Sequence, residues 1–91
     1  MTNNVFEVKF QGPKLVAVSE VMERVDKVEE LMLTLNYPIF GDVMVKVWKE
    51  GSQYKYYDRE APIQTRTFDS IESMVWEYEL PKSVIPYLEK L

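Results

Sequence analysis

Residues 18–35, VSEVMERVDKVEELMLTL, decide how the rest of this chain is read. The apolar positions Val18, Val21, Val25, Val28, Met32 and Leu35 are spaced three, four, three, four and three, while Glu20, Glu23, Arg24, Lys27 and Glu30 fall between them. Such spacing lays one apolar stripe along a helix of 3.6 residues per turn, so a long amphipathic helix packed on a core is expected here. Glu20 with Arg24 and Glu23 with Lys27 stand four apart in the favourable orientation, each pair worth about 0.3 kcal/mol. The run is too short to favour a coiled-coil seam. Upstream, Lys14 to Val18 either belongs to the helix, with Pro13 in its first turn, or is extended, with Ser19 as the N-cap. The β-branched content favours the extended alternative. Asn36 to Pro38 ends the helix, because the residue before proline is pushed out of the α region.

Around this helix the chain alternates with a period of two. Val5 to Phe10 reads as a strand, ended by Gly12 and Pro13, and Asp42 to Lys49 as another, with Val43, Val45 and Val47 on one side and Met44, Lys46 and Trp48 on the other. Gly51 turns the second strand back into Gln53 to Asp58. With Gly51-Ser52 as a two-residue turn, Glu50 pairs with Gln53, and Tyr54 and Tyr56 join the valine face while Tyr57 joins Trp48. A three-residue loop at Lys49 to Gly51 would reverse the parity; the two-residue turn is favoured because it unites three valines with two tyrosines.

Residues 59–68 carry Pro62 and several polar side chains and read as a long loop, with a short edge strand at Thr65 to Phe68. Asp69 and Glu72 have the spacing of a capping box and predict one helical turn. Met74 to Leu80 reads as a strand with Met74, Trp76, Tyr78 and Leu80 inward. A short helix closes the chain, with Val84, Leu88 and Leu91 at near-helical spacing and Pro86 in its first turn. The expected fold is therefore α+β. A mainly antiparallel sheet of about four strands carries one long amphipathic helix and a short C-terminal helix on one face, in the order β-α-β-β-β-α. With 91 residues, 46% of them hydrophobic, residues 1–91 are expected to form a single domain rather than two or a disordered chain.

Composition narrows the chemistry. With no cysteine and no histidine, the chain has no Ser-His-Asp triad, no Cys-His pair and no zinc finger or zincin helix. Its three glycines are isolated, so there is no phosphate loop, and the acidic residues Asp58, Glu60, Asp69 and Glu72 lack the spacing of a calcium loop. Glu77 and Glu79 stand two apart on the expected last strand, roughly 7 Å by strand rise, but alternating surface glutamates are common and catalysis is not expected. No cofactor and no metal site is expected. No apolar run approaches the roughly 18 residues of a membrane span, and the polar MTNN start has no basic leader region, so the reading is a soluble, cytoplasmic protein.

A net charge of −4 disfavours binding to duplex nucleic acid through its field as a whole. Against that background, the side of the hairpin away from the valines is aromatic and basic: Met44, Lys46, Trp48, Lys55, Tyr57 and Arg59, with Trp48 across from Lys55 as a cation–π pair. Glu7, Lys9, Glu77 and Glu79 on neighbouring strands would make this an ion-paired solvated face. Arg66 on the long loop completes the candidate binding residues. The expected function is a small non-catalytic module that binds a partner protein, or itself, through this outer sheet face, an edge strand or the 59–68 loop. The alternative is a binder of single-stranded nucleic acid that stacks bases on the same aromatics.

Overall fold

The computed structural model describes residues 12–24, 27–59 and 65–91. Five strands form one antiparallel sheet in chain order: β1 (Lys14–Arg24), β2 (Lys27–Tyr37), β3 (Gly41–Glu50), β4 (Gln53–Asp58) and β5 (Arg66–Phe68). Two short helices follow, α1 (Ile71–Tyr78) and α2 (Ile85–Leu88), with a 3₁₀ turn at Lys82–Val84 between them. Among the described residues the order is β-β-β-β-β-α-α, so the expected four strands with one long amphipathic helix are corrected. The expected strand at Val5 to Phe10 lies outside the described residues.

The segment read as a helix is most of a two-stranded ribbon, β1 paired with β2. Three bulges interrupt the pairing. The pairing skips Val16 between Leu15 and Ala17, skips Glu29 between Val28 and Glu30, and skips Glu23 between Met22 and Arg24. An extra residue shifts the alternation, so side chains three apart across a bulge share a face. Thus Val28 and Leu31 are both buried on the core side. The supposed stripe is split: Val18 and Leu35 pack on the core, whereas Val21 is exposed on the opposite face. Lys14 to Val18 is extended, but Ser19 is a strand residue rather than an N-cap. Glu20 makes an ion pair with Lys90, 2.9 Å away near the end of the chain.

The second correction concerns Met74 to Leu80, which lies largely in α1. Ile71, Met74, Val75 and Tyr78 follow helical spacing and all pack on the core. The start is set by Ser70, one residue later than the expected cap, whose hydroxyl accepts from the Ser73 amide at 3.1 Å. Glu79 ends the helix in a left-handed conformation, φ 52°, and the Leu80 amide donates back to the Val75 carbonyl at 3.0 Å. Gly12 lies against the Glu79 carbonyl, where any Cβ would collide with the backbone.

The core forms where one face of the sheet meets the helical segment. Leu31, Leu33 and Leu35 of β2 stand opposite Val47, Val45 and Val43 of β3, and Val47 stands opposite Tyr56 of β4. Met74, Leu80, Val84 and Leu88 cover them. The parity of β4 follows from its turn: Glu50 pairs with Gln53, leaving Gly51-Ser52 as a two-residue connection with Gly51 at φ +63°. A side chain meets no atoms there but is strained by the dihedral itself. Gly51→Ala is accordingly expected to cost about 1–2 kcal/mol in urea unfolding without changing the fold. An unchanged midpoint would show that the turn does not hold the register.

Candidate functional site

Strand parity places six of the seven expected residues together on the sheet face opposite the core. β3 presents Met44, Lys46 and Trp48, and β4 presents Lys55 and Tyr57. Arg59 follows, its amide donating to the Met44 carbonyl at 3.1 Å. β2 adds Glu30, Met32 and Thr34, opposite Trp48, Lys46 and Met44. Two cross-strand rows result, Met32–Lys46–Tyr57 and Glu30–Trp48–Lys55–Thr67. Between them lies a shallow depression of about 380 Å³, lined by Glu30, Met32, Lys46, Trp48, Tyr57 and Arg59. Among the described residues no helix packs on this face, because the buried residues of both helices belong to the core on the other side.

The polar contacts orient the aromatic platform. The Lys46 ammonium lies 3.4 Å from the Glu30 carboxylate and 5.3 Å from the centre of the Trp48 ring, so Lys46 rather than Lys55 is the cation beside Trp48. Lys55 instead donates to the Thr67 hydroxyl at 2.9 Å. The indole N–H of Trp48 donates to Glu50 at 2.7 Å, which fixes the ring along the strand. The ring is half-buried and presents one side outward. Arg59 is exposed at the rim. These pairs are solvent-accessible, so each contributes little to stability; their effect is on the shape and charge of the surface.

Arg66 lies apart from these six. It stands opposite Tyr56 on the core-side parity, near the rings of Phe68 and Tyr78, with Nη1 3.3 Å from the Tyr78 hydroxyl and Nη2 3.7 Å from Glu77. Glu77 and Glu79 are on and just after α1 rather than on a strand, so the expected pairing of these acids with the outer-face cations is replaced by Glu30 with Lys46. Glu7, Lys9 and Glu60 lie outside the described residues. Glu30 and Met32 are missing from the sequence-derived set because their segment was assigned to a helix. The signal that would have placed them is the strict alternation of Leu31, Leu33 and Leu35 with Met32 and Thr34.

A second cluster of polar side chains lies on the core side. Tyr56 stacks on Tyr78 with ring centres 4.1 Å apart, Phe68 meets Tyr78 edge-on at 5.7 Å, and the hydroxyls of Tyr37 and Tyr56 share a hydrogen bond. Burial raises all three tyrosine pKa values above the ordinary 10.0; for Tyr37 the nearby Asp58 carboxylate adds to this, and for Tyr78 the Arg66 guanidinium partly opposes it. These shifts keep the phenols protonated, the reverse of what an activated nucleophile or base requires. No three Asp or Glu side chains among the described residues are grouped to hold a metal ion. No described helix is long and apolar enough to cross a membrane. Comparison with protein-family profiles, curated proteins and solved structures finds no match.

Proposed function

We propose that this protein is a non-catalytic interaction module whose outer sheet face receives a protein partner. The observation that carries the reading is the convergence of Met32, Met44, Trp48 and Tyr57 with Lys46, Lys55 and Arg59 on a face that no described helix covers. Aromatic and methionine side chains supply adaptable apolar area, and aromatics with arginine are the residue types that dominate binding energy in protein interfaces. The fitting partner is a segment that offers apolar side chains to the Trp48–Met32 depression and carboxylates to Lys46, Lys55 and Arg59. Catalysis forms no part of the proposal.

Trp48→Ala combined with Tyr57→Ala is expected to remove at least one protein from those captured by the wild type in native extract. Against the isolated partner, it should weaken binding by about 2 kcal/mol or more, roughly 30-fold in Kd. Circular dichroism should show that the variant remains folded. Identical capture lists and equal affinities would overturn the proposal. Tight binding of a labelled single-stranded oligonucleotide, with affinity falling steeply as salt rises, would move the same face to nucleic acid.

A further inference from the structure

Among the described residues, the most exposed large apolar side chains are not on the outer face but at two ends of the sheet. Ile39 and Phe40, 88% and 82% exposed, form the tip of the β2–β3 hairpin, and Trp76 on α1 is 84% exposed. Trp76 lines a cleft of about 440 Å³ with Ile71, Val75 and Ile85, and Lys49 and Tyr54 form its strand side. β3 separates the two features. Its ten residues lead from Gly41, next to the tip, to Glu50, beside the cleft, a distance of roughly 30 Å at the rise of a strand. The tip of one molecule therefore cannot reach its own cleft.

We propose that copies of this chain associate head to tail, with the Ile39–Phe40 tip of one molecule seated against Trp76 in the cleft of the next. The apolar knob and the apolar cleft are both present on every copy, and their surrounding charges complement one another. The tip is flanked by Asp42, held by the Asn36 amide at 2.8 Å, and by Lys14 paired across from Asn36. The cleft offers Lys49 to the acid and Asp69, Glu72 and Glu89 to the lysine. The tip is held firmly at its base by the paired residues Tyr37 and Gly41, so presenting it requires no ordering of the connection. Because knob and cleft are different surfaces, the contact is heterologous and repeats, giving an open chain or ring rather than a closed pair. A contact made by a two-residue tip is smaller than the interface of a stable dimer, so the association is weak and depends on concentration.

Sedimentation equilibrium from about 10 µM to 1 mM tests this directly. The wild type is expected to rise from its monomer mass of 10.8 kDa past that of a dimer, while Phe40→Ser and Trp76→Ala each stay monomeric. An equimolar mixture of the two variants should form a one-to-one dimer and nothing larger, since one retains only the cleft and the other only the tip. Trp48→Ala combined with Tyr57→Ala should assemble like the wild type, which separates this contact from the outer face. Both single substitutions are at exposed positions, and thermal melts should confirm folding; Ile39→Ser and Trp76→Gln provide independent versions of each. A wild type that stays monomeric throughout overturns the proposal and leaves the tip to a foreign partner. A mixture that stays monomeric while the wild type assembles, or a single variant that still assembles, overturns it equally.

Discussion

Leu33→Ala is expected to destabilise the fold by about 2–5 kcal/mol, whereas Met32→Thr, one residue earlier, is expected to cost about 1 kcal/mol or less. Leu33 is fully buried between Val18 of β1 and Val45 of β3, and its truncation removes contacts and leaves a cavity beneath the helices. Met32 is half-buried on the outer face, where threonine also suits a strand. A helix over residues 18–35 would predict the opposite order, because Met32 would then lie on the apolar stripe and Leu33 beside it. Urea denaturation of the two variants decides the matter. Equal costs, or a larger cost at Met32, would count against the strand pairing. For a chain of this size the upper end of the Leu33 range is a large part of the total stability.

Tyr56→Ala is expected to cost about 3–5 kcal/mol, the loss typical of a buried aromatic ring. The ring is 2% exposed, packed beside Val47 and stacked on Tyr78, so it joins the sheet to α1. Tyr56→Phe keeps the ring and loses the hydrogen bond with Tyr37, at about 1 kcal/mol. The two variants also differ from wild type in alkaline solution. Tyr37, Tyr56 and Tyr78 all have folded-state pKa values raised above 10.0, chiefly by burial. The unfolded chain therefore releases these protons before the folded chain does. The stabilisation they give is complete below pH 10 and declines as pH rises beyond it. Tyr56→Phe removes the most strongly shifted of the three, so its stability should fall less steeply above pH 10 than that of the wild type. Parallel pH profiles would sink the assignment of Tyr56 as a buried titrating group.

The central hairpin was legible because its determinants are local. A glycine followed by serine at the turn, valines at period two before it and tyrosines after it favour the two-residue connection over the three-residue loop, and Glu50 paired with Gln53 is that register. The outer-face set inherits that legibility, since Met44, Lys46, Trp48, Lys55 and Tyr57 are the alternate residues of the same two strands. The short edge strand carrying Arg66 was also legible, but the face of Arg66 was not, because it depends on the non-local register of a three-residue strand, Tyr56 opposite Arg66, which no nearby turn specifies. The ribbon of β1 and β2 was misread for a different reason. Its apolar residues lie on both faces of the ribbon, Val18, Val28 and Leu35 toward the core and Val21 and Met32 away from it, so their three-and-four spacing matches a helix without forming one stripe. Residues 71–80 satisfied both periods, and the choice went to the helix because Ser70 caps it and because Ile71, Met74, Val75 and Tyr78 can all reach the sheet together.

By itself, then, the sequence determined that this chain offers no histidine or cysteine chemistry, and it favoured, without deciding, the turn parity that puts Val45, Val47 and Tyr56 on one face and Trp48 and Tyr57 on the other. These follow from alternation across one short turn and from composition, neither of which needs distant contacts. Only the tertiary structure decided that VSEVMERVDKVEELMLTL runs as two paired strands. The three-and-four spacing of its apolar residues is compatible with either element, and the free energy that separates them comes from burying Leu31, Leu33 and Leu35 against β3, a partner that lies later in the chain.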